Sequence, residues 1–375
     1  MIMMTRRALL IACLVLPCLV AVRAQTDRFT SPLIVWSRGD LYRVDALDTP
    51  PTALTTDGTI SGAARSPGDA WIAYKVAAPI GIAALDRVQA DGEIADFDLP
   101  ADLVLTHLER GLTLTIASQP ADAALFDPAR PDNAVQRSAP SWSPDAAALA
   151  WAERDHPSGT MRLVRYDVVT AAARVLALVP GGETRTSAPP VSWGAGGIAI
   201  DLSADASSDQ IHIVYTPDGL PFGAVGVAAI PGTSVRLTTW VDPMGDRLPY
   251  FGLLYENGAW TLIDPAANAA VPYGASPVLE TSSGVGWRLR FGVDDSLGFY
   301  WEIADSNSAA VGEPNGIALA PDGSHLAVIG ALAPGAAAVF DGAIMTPIPG
   351  TGRGDGELPI AAVLWGAMRW VLPVS

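Results

Sequence analysis

Apolar residues along this chain come in short runs separated by Gly, Pro, Ser and Asp, and the runs repeat. The best-formed unit is Pro140 to Glu153, PSWSPDAAALAWAE: a short strand, a tight Ser-Pro-Asp turn, then a second strand of small and apolar residues reaching Trp151. Arg65 stands before a second copy, Ser66-Pro67-Gly68-Asp69 followed by Trp71-Ile72-Ala73-Tyr74. Leu319 stands before a third, Ala320-Pro321-Asp322-Gly323 followed by Leu326-Ala327-Val328. Trp193, Trp240 and Trp365 precede turns at the same place in weaker copies. The next segment of a unit carries apolar residues at period two, as in Met161 to Asp167, which is the pattern of a half-buried strand. A short fourth segment follows, as at 173–178. With 36 Gly and 31 Pro breaking the runs, long helices have no room and the chain reads as all-β.

Measured on the residue before each turn, the steps are 77, 51, 47, 79 and 46 residues, so two intervals are nearly double the others. A weaker unit fits the middle of each long interval. Leu103 to His107 leads through Glu109-Arg110-Gly111 into Leu112 to Ile116, and Gly284-Val285-Gly286 leads into Trp287 to Phe291. Counting both gives eight units of about 43 residues, the size of one four-stranded propeller blade. The expected fold is therefore an all-β propeller of four-stranded blades, with eight favoured and seven the runner-up. Leu33 to Ser37 and Asp40 to Asp45 predict a hairpin across Arg38-Gly39, and two further strands fit between Ile360 and Val374. Two strands from each terminus would complete one blade and close the ring, leaving no open sheet edge.

The N-terminus changes the picture of where the chain works. Arg6 and Arg7 precede an apolar run from Ala8 to Val22, shorter than the roughly 20 residues a spanning helix needs. Val22-Arg23-Ala24 then places small residues where a signal peptidase cuts. Residues 1–24 are expected to be an export signal and 25–375 a single propeller domain, placed in the periplasm, at the cell surface or outside the cell. Cys13 and Cys18 both lie in that leader, so the remainder has no thiol for a disulfide, a nucleophile or a metal. No later stretch is long and apolar enough to span a membrane.

The chain carries 23 Lys and Arg against 39 Asp and Glu, a net charge of −16. Removing the leader removes three arginines and no acid. Binding nucleic acid rests on basic side chains neutralising phosphates, so that class of partner is set aside.

Ser-Trp-Ser-Pro-Asp with Ala148-Leu149-Ala150-Trp151, together with the copies at 66–74 and 320–328, resembles the WD40-like repeat of TolB-type propellers. The sequence departs from that repeat at Ala146, where the family usually has glycine. The resemblance implies a periplasmic or extracellular binding scaffold and no particular chemistry, since one fold hosts many functions. The expected partner is a protein, a peptide or a glycan, and the expected state a monomer.

Trp142, Trp193, Trp240 and Trp365 share one register, with Arg65 and His107 at the same place in other units. The first reading of the tryptophans is packing between neighbouring sheets. The second is an aromatic lining to a central channel, with Arg65 and His107 making polar contacts to a ligand. The Ser-Pro-Asp turns read as geometry: Pro sets φ, and Asp bonds local amides. Acid-rich loops at Asp201 to Asp209 and Asp294-Asp295 lack the dense spacing that converges on calcium. No cofactor is expected, with calcium or another divalent metal as the alternative. Glu313-Pro314-Asn315-Gly316-Ile317-Ala318 running into Pro321-Asp322-Gly323 is similar to a segment of gluconolactonase-type propellers, whose matching asparagine ligates a catalytic metal. That resemblance implies Asn315 as a metal ligand and a lactonase or carbohydrate-active hydrolase as the alternative function. Val328 to Ala331 departs from it, standing where an aspartate-bearing strand end is expected. Arg-Gly-Asp occurs at 38–40 and 353–355, as expected by chance in a Gly-rich chain.

Overall fold

The computed structural model describes residues 28–68, 70–90, 98–181, 186–194, 197–202 and 210–226, the strands lying between 252 and 312, and residues 316–321, 325–341 and 344–365. Among these residues the strands form seven antiparallel sheets, in which strands that follow one another in sequence lie side by side. Sheet 1 holds β1 (Arg28–Ser37), β2 (Asp40–Ala46) and β3 (Thr52–Ala53). Sheet 2 holds β4 (Ile60–Arg65), β5 (Trp71–Ala77), β6 (Ala101–His107) and β7 (Thr113–Ala117), with a helix, α1 (Pro79–Ala90), between β5 and β6. Sheet 3 holds β8 (Val135–Arg137), β9 (Ser141–Trp142), β10 (Ala148–Asp155), β11 (Met161–Asp167) and β12 (Ala172–Val179), with β8 and β9 both paired to β10. Pro140, which has no N–H to give a ladder, lies in the break between them.

Sheet 4 follows with β13 (Val191–Gly194), β14 (Gly197–Asp201), β15 (Gln210–Tyr215) and β16 (Pro221–Gly226). Sheet 5 has β17 (Gly252–Glu256), β18 (Ala259–Asp264) and β19 (Ala269–Pro272). Sheet 6 has β20 (Val278–Glu280), β21 (Gly286–Asp294), β22 (Gly298–Ala304) and β23 (Ala310–Gly312). Sheet 7 has β24 (Gly316–Leu319), β25 (Leu326–Ile329), β26 (Ala337–Phe340) and β27 (Met345–Pro347). The last described strand, β28 (Ala362–Leu364), returns to sheet 1 and pairs with β1, setting Val363 opposite Val35.

Among the described residues sheet 1 joins one late strand to three early ones; two from each end were expected, and residues 366–374, where the second late strand would fall, lie outside the described residues. The predicted hairpin across Arg38-Gly39 is present. Both residues have positive φ, 52° and 80°, the backbone of a two-residue turn whose twist matches its strands. A side chain on Gly39 would run into the Gly58 carbonyl, so only glycine fits.

Two expectations are corrected. The weaker unit ending at His107 is not a unit of its own: 103–116 falls on β6 and β7 of the sheet that begins with Arg65. Its long interval arises from α1 and the chain around it, so the all-β reading also missed a helix. Pro79 takes the first helical position, where its missing N–H is no loss. Ala84 then packs with Leu125 and Ala134 in a small apolar cluster of its own. The second weaker unit does belong to a separate sheet, with Trp287 in β21 of sheet 6.

The inner strands of sheets 1, 2 and 3 are apolar on both faces because these sheets are packed on both sides. In β1, Leu33 and Val35 pack with Ala327, Ile329 and Val339 of sheet 7. Ile34 and Trp36 point the other way, onto Ile60, Ile72 and Tyr74 of sheet 2. Ala73, Leu103 and Leu105 of sheet 2 meet Leu149, Trp151 and Tyr166 of sheet 3. Ala150, Ala152, Met161 and Leu163 continue onto Val191, Ile198 and Ile200 of sheet 4. Sheets 7, 1, 2, 3 and 4 thus stack face to face in chain order, the packing of propeller blades. Each fully buried aliphatic side chain contributes about 1.5–3 kcal/mol. No described helix is long and apolar enough to cross a membrane.

Candidate functional site

The residue just before the Ser-Pro-Asp turn ends the first strand of its sheet, and there the sheets are tied together. The turn itself is local chemistry. The Ser143 amide donates to the Ala148 carbonyl at 2.8 Å, and the Ala148 amide donates to Ser143 Oγ at 2.9 Å. Asp145 Oδ1 accepts from the Ser143 hydroxyl at 2.6 Å and the Ala147 amide at 3.1 Å, and these bonds hold its carboxyl below the usual range. The same serine clasp recurs at Ser66, which bonds Trp71, and its backbone half recurs between Ala320 and His325.

From that turn outward, three of these positions bond the preceding sheet and the fourth packs on it. The Trp193 amide of sheet 4 donates to Ser141 Oγ of sheet 3 at 3.0 Å. Trp142 Nε1 of sheet 3 donates to the Ala64 carbonyl of sheet 2 at 2.9 Å, with its ring 5% exposed. Arg65 of sheet 2 donates to the Pro32 carbonyl and the Ser31 hydroxyl of sheet 1. Trp365, which follows β28, donates from Nε1 to the Ser31 carbonyl at 2.9 Å and packs on Ala318, Ala320 and Ala327 of sheet 7. Phe29 meets its ring edge-on at 4.7 Å, and His325 lies 6.1 Å away. The four positions form one belt across five sheets, with the Arg65 guanidinium bonding across from sheet 2 as the Trp142 indole does from sheet 3.

His107 sits at the same end of sheet 2, paired in register with Trp71, but on the third strand. Its Nδ1 accepts the Glu109 and Arg110 amides at 3.3 Å each and caps the turn into β7. Trp240 and Asn315 lie outside the described residues. Among the described residues no three His, Cys, Asp or Glu side chains group as metal ligands would.

The opposite end of sheets 2 and 3, beside α1, carries a buried charged network that the sequence reading did not single out. Lys75, the only lysine, is 7% exposed and donates to both Asp98 oxygens at 2.8 and 2.7 Å. Arg137, 4% exposed, donates from Nε to Glu153 Oε1 at 2.8 Å, and from its two Nη atoms to the Ala101 and Ser118 carbonyls at 2.6 and 3.0 Å. Glu153 also accepts Trp151 Nε1 at 3.1 Å. Gln136 donates to the Asp98 and Thr186 carbonyls at 2.6 and 2.9 Å and accepts Arg154 Nη1 at 2.9 Å. Burial lowers the Arg154 pKa. Buried cations opposite carboxylates and carbonyls fix the loops around 98, 118 and 186 to the sheets, since breaking any one bond leaves a charge without solvent. A lone lysine in an apolar strand, and Glu153-Arg154 at the end of another, are the sequence signals that mark it.

No family model matches the sequence, and no curated protein matches it. Solved structures similar to it include an oligogalacturonate lyase in complex with manganese, at 14% identity over 77% of this chain and 78% of that one, with a TM-score of 0.47. TolB from Acinetobacter baumannii is 10% identical over 90% of this chain and 67% of its own, at 0.41. A putative TolB from Agrobacterium tumefaciens is 14% identical over 66% and 78%, at 0.38.

Proposed function

We propose that the chain is a seven-bladed β-propeller, closed through Ala362–Leu364, that serves the cell envelope as a non-catalytic scaffold binding a protein, peptide or glycan. The observation that carries this reading is the belt from Trp193 through Trp142 and Arg65 to Trp365. Hydrogen bonds from the first three positions, and the packing of Trp365 on sheet 7, join one sheet to the next, so the sheets form a rigid frame and the loops at their ends are what a partner meets. Frames of this kind bind with little ordering cost, because the backbone presenting the loops is already fixed. Residues 1–24 act as the export signal, and the surplus of acid keeps the exported monomer soluble.

The test is cross-linking of the full-length protein in its own envelope, identification of the cross-linked partner, and reconstitution from purified components. A complex of fixed stoichiometry that forms through loop residues is the expected outcome. In parallel, the protein is assayed on lactones and oligosaccharides with calcium or manganese. Metal-dependent turnover that Asn315→Ala abolishes would establish the hydrolase instead.

A further inference from the structure

Strands β11 and β12 set Arg165 directly opposite Arg174. Directly opposed side chains on an antiparallel pair lie about 4.5–5.5 Å apart at Cβ, and like charges there repel. In a chain with 23 basic residues against 39 acidic ones, such a pairing is a local conflict. The Arg165 guanidinium is held in place, and Arg174 has one loose partner. Arg165 Nη1 donates to the Pro217 carbonyl at 3.1 Å, and its guanidinium carbon sits 5.5 Å from the centre of the Trp193 ring. Arg174 Nη2 lies 3.6 Å from Asp218 Oδ1, an ion pair whose side chains are 58% and 82% exposed and therefore weakly held. Between the two arginines lies an open cleft of about 210 Å³, lined by Arg165, Asp167, Thr170, Ala172 and Arg174. The one acid in its wall, Asp167, is turned to its own turn, accepting the Thr170 amide at 2.8 Å and the Thr170 hydroxyl at 3.0 Å through Oδ1.

We propose that this cleft is a binding site for a compact oxyanion, a carboxylate or a phosphate, held between the guanidinium groups of Arg165 and Arg174. Guanidinium presents paired N–H donors in a plane that matches either anion, and two such groups facing one cleft match an anion better than they match each other. The bound anion adds a counter-charge to those that Asp218 supplies to Arg174 and Asp167 to Arg165.

The test is thermal unfolding of the full chain at low, matched ionic strength in sodium chloride, sodium acetate and sodium phosphate. Acetate and phosphate are separate arms, so the response names the anion. At ten times its dissociation constant, the bound anion raises the midpoint by about 2 °C over chloride. Arg174→Gln is expected to lose that rise and, without the anion, to melt no lower than the parent, because it relieves the like-charge pair. Arg174→Lys keeps the charge without the planar fork and should weaken the anion several-fold. A parent that responds to neither anion overturns the site, as does an Arg174→Gln protein that responds as the parent does.

Discussion

At Ala146 the backbone takes φ of 58°, a left-handed conformation that costs a residue with a Cβ roughly 1–2 kcal/mol. The turn tolerates it because Ser143 and Asp145 bond across it and the methyl packs beside Leu149 and Trp151. Ala146→Gly relieves the strain and gives back about 0.5–1 kcal/mol in unfolded-state entropy. A net gain of up to about 1 kcal/mol is expected in urea unfolding, and a lower midpoint would mean that the methyl's packing outweighs the strain. His156 ties folding to pH. Burial pushes its pKa below the usual value, against the pull of Asp132 at 3.5 Å. The folded state therefore keeps the imidazole neutral where the unfolded chain, with a pKa of about 6.5, takes up a proton. Its contribution is intact above about pH 6.5 and is lost as pH falls through that value, by less than about 1.4 kcal/mol per pH unit. His156→Gln should flatten the stability profile between about pH 7 and 5.5, read from urea midpoints at each pH. An unchanged slope would assign the acid sensitivity elsewhere.

Elements show which patterns a sequence exposes and which it hides. The hairpin at Arg38-Gly39 was legible because only a glycine-bearing pair makes that turn. Helix α1 was not, since Pro-Ile-Gly-Ile-Ala-Ala-Leu carries no strong period and short apolar runs read equally as strand or helix. His107 was placed in a unit of its own because its strand and turn imitate the start of a blade, whereas the register sets it against Trp71 in the same sheet. The charged network between sheets 2 and 3 was hidden for a related reason: β8 and β10 announce their residues but not the sheet they will face. Its central pair is deeply buried, Arg137 at 5% and Glu153 at 14% side-chain exposure. Arg137→Met strands the Glu153 carboxylate and the Ala101 and Ser118 carbonyls, with an expected loss of about 3–5 kcal/mol. The double variant Arg137→Met with Glu153→Leu should recover a substantial part of that loss. If the double variant is as unstable as the single one, the network matters by its shape and not by its charge.

At the scale of the molecule, the decisive contact joins residues more than three hundred positions apart. β28 completes sheet 1, and Trp365 behind it fills the space toward sheet 7 at 2% exposure. A chain ending at Pro359 lacks both. It should unfold at markedly lower urea and with a broader transition, followed by tryptophan fluorescence, because Leu33, Val35 and Ile329 lose a shared wall. A truncated chain that unfolds at the parent's midpoint would reduce β28 to an ornament.

The amino-acid sequence by itself determined the repeating strand-turn-strand unit, the Ser-Pro-Asp turn geometry and the surplus of acid. All of these rest on residue type and near-neighbour spacing, which short-range sterics and hydrogen bonding translate directly. Which sheets face one another, that Arg65 takes a tryptophan's place in the belt, that Arg165 meets Arg174, and that β28 pairs with β1 were decided by tertiary structure. A strand apolar on both faces declares that it will be covered on each side, but which partner covers it is settled only when the sheets pack.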